Sequence, residues 1–402
     1  MWSWPASRWN RTGLLSALAL ALALAMGRGM ALGLPGDLDL EFNLDPDFNL
    51  NPEFDPFNGI NVRELKIDSL VISDGLPVVQ LRRGTVVRLD AQGNPDTRFP
   101  RSPGAPDSLR NSESFPMHAL TDGRLLVFNP PRVIDSDGEI LRRIEPSNYS
   151  LTDGAILADG SLIGSTPGGL ARLPPGANDF ALAAPFLQGT DLGFWLSFTP
   201  AQDDSWIVFG RRSGLDLDSL SRLNSDGSVD DRFQPRRARY EAVATTDEGT
   251  TYVVSETSRN VVGRIDRLLE DGSQDPAFTP FILPDTNPNR WEIQSIAFDP
   301  ASGGLFVGVG RENSSDLDDL LEVEASLFFL DRVGKVDPFF TENAGVVGSV
   351  QGLAKSGDKL YVLGNLRKRD SKELTPRLVR LDANLAAGTP AVVRTSPVDT
   401  TV

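Results

Sequence analysis

The sequence of 402 residues contains no cysteine and a single histidine, His118. The absence of cysteine excludes disulfide bonds, thiol chemistry and lipid attachment through a cysteine. A lone histidine argues against a His-based catalytic or zinc site, and we expect His118 to be packed or hydrogen-bonded at the start of a strand. Basic residues are also in the minority, with 39 against 55 acidic ones and a net charge of −16. That charge repels phosphate, so we expect no nucleic-acid partner.

Long apolar runs are scarce as well. The run near the N-terminus, residues 14–26, follows Arg8 and Arg11 and precedes small residues, a pattern typical of an export signal over residues 1–31. The run is shorter than the roughly 20 residues of a membrane helix. We therefore predict an exported protein, periplasmic, cell-surface or secreted, with no stable membrane span after signal cleavage. A retained membrane anchor is the alternative.

A repeat organises most of the remaining chain. Each copy keeps a Gly, an Asp three residues later and a Phe three residues after that, and the clearest copies cover Arg88–Phe99, Arg222–Phe233, Arg267–Phe278 and Phe329–Phe340. The residues before the Gly alternate like a strand, and Asp-Gly or Gln-Gly favours a tight hairpin. We expect the next strand to carry the Asp and the Phe. The Asp should accept hydrogen bonds from turn backbone, and the Phe should anchor the core.

A second hairpin precedes each repeat unit by a few tens of residues. Seven such hairpins surround Asp74-Gly75, Asp122-Gly123, Asp159-Gly160, Asp203-Asp204, Glu248-Gly249, Gly303-Gly304 and Gly357-Asp358. Units of about 40–50 residues with four strands each indicate a propeller. We predict an all-β fold with a single β-propeller over residues 60–392, most simply of seven four-stranded blades, with six or eight left open. Blades two (111–149) and three (150–187) match the repeat least, and residues 393–402 form a C-terminal tail.

The acidic segment 32–59 repeats the Asp-x-x-Phe spacing outside the units. Asp39/Phe42, Asp45/Phe48 and Asn51/Phe54 all keep it, whereas the last unit ends at residues 380–385 without such a pair. An open strand edge is a liability for a ring of sheets. The segment is therefore predicted to supply a ring-closing strand, with one of the three Phe side chains buried against residues 378–381. The alternative is an acidic linker.

These copies, each preceded by an apolar Asp-Gly hairpin, resemble the delta-60 repeat proteins. The resemblance covers roughly residues 60–390 in pattern and is close only in the four copies given above. It implies a bacterial β-propeller of a family with many exported members and no general enzymatic activity. It transfers no catalytic residue.

Two kinds of chemistry compete with a purely structural reading. Asn224, Asp226 and Asp230 resemble part of a calcium loop, but the middle position is Gln92 or Val333 in other copies, so we expect no cofactor, with calcium as the weaker alternative. Adjacent carboxylates could serve as acid and base of a sugar- or lactone-active hydrolase or lyase, with a divalent cation at the channel mouth. Such neighbours are expected by chance in so acidic a chain, and we predict no catalytic residue.

The long, variable connections mark the face on which a partner is expected to bind. Both glycine turns of a unit lie on one face of a four-stranded meander, and the long loops lie on the other. The candidate residues in these loops are Arg211, Arg212, Asp216, Asp218, Arg290, Trp291, Asp316, Asp318, Asp319, Arg367, Lys368 and Arg369. Trp291 is a core candidate first and a ligand-stacking candidate second. The sequence thus predicts an exported, non-catalytic binding or scaffold module with a protein or carbohydrate partner.

Overall fold

The chain is described by a computed structural model. The described residues are 35–39, 42, 67–81, 85–96, 98–99, 116–120, 122–128, 131–144, 153–166, 169–178, 184–186, 195–211, 219–236, 238–246, 248–256, 262–283, 291–310, 326–369 and 378–385. Over these ranges the protein is all-β, as the alternation of apolar residues predicts. The strands form small antiparallel sheets that follow one another along the chain, in a β-propeller-like arrangement.

The first three sheets contain eleven strands. Sheet 1 consists of β1 (Ile67–Ser73), β2 (Leu76–Leu81) and β3 (Val86–Arg88). Sheet 2 consists of β4 (Met117–Ala119), β5 (Leu125–Val127), β6 (Arg132–Ile134) and β7 (Ile140–Arg143). Sheet 3 consists of β8 (Gly154–Ile156), β9 (Leu162–Thr166), β10 (Gly169–Leu173) and β11 (Ala184–Phe186).

The remaining four sheets are built in the same way. Sheet 4 consists of β12 (Trp195–Pro200), β13 (Trp206–Arg211) and β14 (Ser219–Leu223), with a 3-10 turn at Gln202–Asp204. Sheet 5 consists of β15 (Tyr240–Thr245), β16 (Thr251–Glu256), β17 (Val262–Leu268) and β18 (Phe281–Ile282). Sheet 6 consists of β19 (Glu292–Asp299), β20 (Gly304–Gly310) and β21 (Leu327–Leu330), followed by the helix α1 (Pro338–Asn343). Sheet 7 consists of β22 (Val346–Ser356), β23 (Lys359–Lys368) and β24 (Leu378–Asp382).

The sequence expectation of four strands in every unit is wrong for part of the chain. Among the described residues, sheets 1, 4, 6 and 7 have three regular strands. In sheets 1, 4 and 6 the predicted fourth strand is reduced to one isolated bridge after the glycine turn, for example Leu223 with Val229. Sheets 2 and 3, whose sequences match the repeat least, both have four strands. Backbone pairing in these two sheets therefore does not depend on the Asp-x-x-Phe pattern.

The Asp-x-x-Phe segment forms a turn where the sequence predicts a strand. In sheet 4 the Asp230 carboxylate accepts the backbone N–H of Arg232 at 3.1 Å, and the Phe233 N–H donates to the Asp230 carbonyl at 3.1 Å. The carboxylate competes with the strand ladder for the backbone donor, so the chain bends at Asp230 and directs Phe233 into the core. The prediction that the Asp accepts bonds from turn backbone is confirmed.

Helix α1 shows the same motif carried further. In sheet 6 the Asp337 carboxylate accepts the N–H groups of Phe339 and Phe340 and so forms the N-cap, and Pro338 occupies the first turn, where its missing N–H costs nothing. The buried Phe340 ring still packs against Phe306 and Phe329. The helix begins after the Leu330–Val336 bridge and keeps the aromatic anchor in the core.

The glycine of the repeat is fixed by contact with the preceding sheet. Gly334 has φ +86°, and a Cβ built on it would lie 2.1 Å from the Thr279 carbonyl oxygen of sheet 5. The Thr279 N–H donates to the Val333 carbonyl at 2.8 Å, which holds the two backbones this close. Any larger residue would both strain the turn and separate the sheets.

Buried side chains pack between consecutive sheets and form seven apolar clusters. The clusters join sheets 1 and 2, 2 and 3, 3 and 4, 4 and 5, 5 and 6, and 6 and 7. The seventh joins sheet 7 to sheet 1 through Tyr361, Leu363 and Leu378 on one side and Val79 and Val87 on the other. Each sheet in the described part of the chain therefore buries both of its faces against neighbours.

Part of the N-terminal acidic segment lies on the edge of sheet 7. Leu38 forms an antiparallel bridge with Leu381, and Phe42, which is 5% exposed, belongs to the cluster between sheets 7 and 1. The structure thus places one of the three expected Phe side chains against β24. Phe48 and Phe54 lie outside the described residues, as do the predicted signal segment and the C-terminal tail.

Candidate functional site

The long-loop residues proposed from the sequence fall mostly outside the described ranges. Arg212, Asp216, Asp218, Arg290, Asp316, Asp318 and Asp319 all do so. Arg211 is the last residue of β13, so the strand extends one residue further into the predicted loop than the sequence indicates. The described residues do not bring these side chains together.

Trp291 is placed in the core. Its side chain is 8% exposed and belongs to the cluster between sheets 5 and 6, with Phe278 and Ile293 among its members. This is the core role that the sequence favours for Trp291. A ring held between two sheets presents little surface to a ligand, so its location does not support the stacking alternative.

The basic residues 367–369 lie at the end of β23, where the sequence predicts a surface loop. Arg367 and Lys368 pair with Val347 and Val346 of β22. The Arg369 guanidinium donates to the carbonyls of Ala344 at 2.7 Å and Thr341 at 2.9 Å. The last carbonyls of a helix have no partner within the helix, and here the Arg369 side chain donates hydrogen bonds to them. Arg369 therefore holds α1 against sheet 7.

The hairpin turns gather on one face, which we call the turn face. It carries the seven hairpin turns given above together with the glycine turns that follow the third strands. Ser73 Oγ donates to the Gly123 carbonyl at 3.0 Å, and the Ala158 N–H donates to the Ser225 carbonyl at 3.1 Å, so turns of successive sheets are hydrogen-bonded to one another. These bonds cross-link the turns of sheets 1 and 2 and those of sheets 3 and 4.

A cavity of about 280 Å³ opens among the turns of sheets 2, 3 and 4. Its wall includes Asp122, Arg124 and Asp204, together with the Trp206 ring. Asp122 and Arg124 are paired at 2.6 Å with both side chains substantially exposed. Trp206 is fixed by its Nε1–H, which donates to the Ile156 carbonyl at 3.1 Å. The volume would admit a small polar ligand, which would meet an exposed ion pair that is already formed.

His118 and Asp153 form a buried pair near this cavity. His118 Nε2 lies 2.5 Å from an Asp153 oxygen, with side-chain exposures of 10% and 5%. The other Asp153 oxygen accepts the Phe198 N–H at 3.0 Å, and the imidazole ring packs edge-on against Trp206. The pair therefore ties the first strands of sheets 2 and 4 to the start of sheet 3, which confirms the expected hydrogen-bonded histidine.

A recurrent Arg–Asp–Phe contact joins the strands to the turns, and the sequence reading missed it. The third strand of a sheet carries an Arg whose Nε donates to the Asp of the repeat at 2.8–3.1 Å and whose guanidinium lies 4.8–5.2 Å from the Phe ring centroid. The four instances are Arg88–Asp96–Phe99, Arg222–Asp230–Phe233, Arg267–Asp275–Phe278 and Arg380–Asp39–Phe42. The signal was available in the sequence, because three of these arginines stand at the first position of the copies.

The fourth instance joins the two ends of the described chain. Arg380 and Asp39 are 341 residues apart, whereas the other pairs are eight apart. Arg380 donates with Nη1 to the Ala91 carbonyl of the glycine turn of sheet 1. Arg88 donates with Nη1 to the equivalent carbonyl of sheet 2, that of Ser136, at 2.5 Å. Sheet 7 thus contacts sheet 1 through the same bond by which sheet 1 contacts sheet 2.

The arginines keep the repeat carboxylates ionised. A hydrogen bond from the Arg232 guanidinium is the largest effect lowering the pKa of Asp230 to about 2; burial raises the pKa and the Arg222 guanidinium lowers it further. Burial likewise raises the pKa of Asp96, but the Arg98 backbone N–H and the Arg88 guanidinium lower it more, so its pKa lies below the usual value. These carboxylates serve in structural contacts.

No group of three or more His, Asp or Glu side chains able to hold a metal ion occurs in the part of the chain that the structure describes. The carboxylate of Asp226 instead accepts the backbone N–H of Ser228 at 2.8 Å and its hydroxyl at 2.7 Å. The hydroxyl of Ser228 in turn accepts the side-chain amide of Asn224 at 2.9 Å. The residues proposed as a partial calcium loop are therefore engaged within the turn.

Comparison with known proteins gives similarity in structure only. No protein-family model matches the chain, and no curated protein matches it in sequence. A solved structure described as the extracellular domain of a one component system from B. thetaiotaomicron is 13% identical, with a TM-score of 0.49, covering 78% of this chain and 42% of that one. This chain therefore spans less than half of that protein's length.

Two other solved structures are similar to a comparable extent. A quinonprotein alcohol dehydrogenase-like protein from Bacteroides thetaiotaomicron is 16% identical, with a TM-score of 0.45 and coverage of 67% of this chain and 64% of that one. Kuenenia stuttgartiensis hydrazine synthase is 13% identical, with a TM-score of 0.47 and coverage of 81% and 99%. At these identities and TM-scores the similarities assign no function to this chain. Among its described residues, the chain has no helix with the length and apolar composition of a membrane span.

Proposed function

We propose that the chain is an exported, non-catalytic β-propeller of seven blades, of the delta-60 repeat type, that acts as a binding or scaffold module. The observation that carries the proposal is the equivalence of two contacts. The Arg380 guanidinium donates to the Ala91 carbonyl between sheets 7 and 1, as the Arg88 guanidinium donates to the Ser136 carbonyl between sheets 1 and 2. A ring in which the last sheet contacts the first as each sheet contacts the next leaves no sheet face uncovered between blades.

A second pair of bonds supports the same ring. Ser356 Oγ donates to the Gly75 carbonyl at 2.9 Å between sheets 7 and 1, as Ser73 Oγ donates to the Gly123 carbonyl at 3.0 Å between sheets 1 and 2. Both serines stand at the end of a first strand, one residue before its hairpin turn. The same bond at both junctions therefore favours a ring of seven equivalent blades.

The partner is proposed to bind the long-loop face, opposite the turn face. Hairpin turns on the turn face are short and engaged in bonds between sheets, whereas the connections that leave the other face include residues 212–218 and 311–325. Variable loops on a rigid scaffold are where binding residues concentrate. With Asp216, Asp218, Asp316, Asp318 and Asp319 on these loops, the partner is a protein or carbohydrate that tolerates negative charge.

Site-specific photo-crosslinking in the producing cell tests the face. A crosslinking amino acid is placed at Asp216 or Asp318 for the long-loop face and at Asp74 or Asp331 for the turn face. One discrete adduct from the first pair, absent from the second, would support the proposal. The same adduct from all four positions, or one from the turn face alone, would contradict it. N-terminal sequencing of the same material shows whether residues 1–31 are removed.

A further inference from the structure

The edge of β24, which we call the β24 slot, holds Gly36, Asp39 and Phe42 through three kinds of contact. The first is backbone pairing: the Gly36 N–H donates to the Asp382 carbonyl at 2.7 Å, and the Asp39 N–H donates to the Arg380 carbonyl at 2.9 Å. In the opposite direction, the Asp382 N–H donates to the Asp37 carbonyl at 2.9 Å. Pairing of this kind holds an extended segment irrespective of its side chains.

The second feature is a cationic corner that selects a carboxylate. Asp39 Oδ2 lies 2.9 Å from Arg380 Nε, 2.8 Å from Arg380 Nη2 and 3.2 Å from Lys359 Nζ. Two N–H groups of one guanidinium on a carboxylate oxygen give a charge-assisted contact with defined geometry. The slot therefore distinguishes Asp from its neutral amide, Asn.

The third feature is an aromatic site three residues further on. The Phe42 ring lies edge-on to Tyr361 with centroids 5.4 Å apart, and the Arg380 guanidinium lies 4.8 Å from the Phe42 centroid. Both contacts depend on an aromatic ring at this position. Leu38, just before Asp39, packs against the cluster between sheets 6 and 7, so the slot contacts an apolar residue followed by Asp-x-x-Phe.

The chain contains a second segment with the same Leu-Asp-x-x-Phe spacing. In its register Phe42 takes the place of Gly36, whose φ of +94° and close approach to the Ala344 backbone disfavour a side chain, so the second segment can repeat the bonds of Asp37, Asp39 and Phe42 but not that of Gly36. Leu38-Asp39-x-x-Phe42 recurs six residues later as Leu44-Asp45-x-x-Phe48, and the sequence at Asp45-Pro46 matches the Asp-Pro of the fifth and sixth sheets. A third segment, Leu50–Phe54, has Asn51 in place of the Asp. The tandem therefore offers two ligands for one slot, and a third that lacks the carboxylate.

We propose that the β24 slot is a binding site for peptides of the form Leu-Asp-x-x-Phe, and that residues 44–48 occupy it when residues 38–42 are removed from it. The proposal concerns the edge of sheet 7 and does not depend on the partner face proposed above. It makes the N-terminal segment an exchangeable ligand. A peptide with the same motif supplied by another molecule would meet the same three features.

Three full-length variants test the exchange by thermal melting. The first-motif variant carries Asp39→Ala and Phe42→Ala, the second-motif variant carries Asp45→Ala and Phe48→Ala, and the third carries all four changes. We expect the first two to melt within about 2 °C of the parent, because one intact motif remains to fill the slot. The variant with four changes should melt distinctly lower. An equal drop in melting temperature in the first-motif variant and in the variant with four changes would overturn the proposal.

Peptide binding to the variant with four changes gives a second readout. A fluorescent peptide of residues 42–49 should bind this variant and raise its melting temperature with concentration, since a ligand of the folded state alone stabilises it. The same peptide with Asp45→Asn should bind at least tenfold more weakly, and the parent protein, whose slot is filled, should bind neither. A folded variant that binds neither peptide would refute the site.

Engineered cysteines report the register even if the variant with four changes does not fold. Because the chain has no cysteine, Asp37→Cys with Asp382→Cys should form a disulfide in the parent, where these residues face each other beside the Leu38–Leu381 bridge. Asn43→Cys with Asp382→Cys is the equivalent pair for the second motif. It should form a disulfide in the first-motif variant and not in the parent. Failure to form there would show that the second motif does not enter the slot.

Discussion

Replacing Phe233 by Ala should remove one aromatic anchor of the repeat. Phe233 is 6% exposed and packs in the cluster between sheets 4 and 5 with Ile207 and Leu268. Truncation of a buried Phe to Ala costs about 3–5 kcal/mol, from lost transfer free energy and the cavity left behind. The Arg222 guanidinium, 5.2 Å from the ring centroid, would also lose a contact of about 0.5–1 kcal/mol. We therefore expect a loss of about 3–5 kcal/mol in unfolding free energy, near the upper end.

Denaturation in guanidinium chloride, followed by tryptophan fluorescence and by circular dichroism, measures this loss. Coincident transitions are needed, because an unfolding free energy is defined only for a two-state transition. Leu141→Ala is the control, since Leu141 is 56% exposed and should change stability by less than about 0.5 kcal/mol. A loss below about 1 kcal/mol for Phe233→Ala would show that the Phe does not anchor the core. Phe42→Ala should cost less than Phe233→Ala, because the second motif can replace the first.

Other perturbations address the remaining contacts. His118→Ala should destabilise by about 1–3 kcal/mol, because the buried Asp153 carboxylate loses its bond to His118 and keeps only the Gly154 and Phe198 N–H donors, and an unchanged melt would contradict the pairing. Asp230→Asn should reduce stability at pH 7. The pKa of Asp230 is lowered in the folded state to about 2 from 3.8, so its contribution is complete above about pH 4 and is lost as the pH falls through 2. Melting curves of the parent and this variant should therefore converge over that range, and a constant difference would refute the assignment. Deleting residues 37–57 should lower stability and promote association through the exposed edge of β24, and a monomeric deletion variant that melts like the parent would identify the segment as a linker. Chelation of calcium should leave the melting temperature unchanged, and a large drop would show that a metal supports the fold.

The architecture could be read from the sequence because its signals are local. A Gly turn with a strand on each side and a buried Phe at fixed spacing predicts a sheet whatever surrounds it, and all seven hairpins are found where they were placed. The lengths of the fourth strands could not be read in this way. At Asp230 a backbone N–H can donate either to the Asp carboxylate, which forms a turn, or to the neighbouring strand, which extends the sheet. The two hydrogen bonds are of similar strength, so the sequence does not show which one forms. In sheet 6 the same motif continues into helix α1, whereas the Asp275-Pro276 copy of sheet 5 stays a turn, so the proline alone does not decide the outcome.

The role of the arginines depends on how each copy folds back on itself, which its residue spacing does not reveal. Arg222 lies eight residues before Asp230 in sequence, and only the folded turn brings the two together over Phe233. Arg380 has no Asp at that spacing, and its partner Asp39 could have been inferred by comparing the copies. The long-loop face offers no such comparison, because its connections differ in length and composition from one unit to the next. Its residues therefore remain a prediction.

The pairing of Asp39 with Arg380 has a consequence for the order of events during synthesis. Arg380 of β24 is made 341 residues after Asp39. Six sheets can pack on one another as they emerge, since each needs only its neighbour in sequence. The seventh cannot be completed until the last strand arrives, so an unfinished chain keeps one acidic, phenylalanine-rich segment without its strand. In a protein that folds after crossing a membrane, a segment of this kind would arrive before all seven sheets and dock only after six of them had packed.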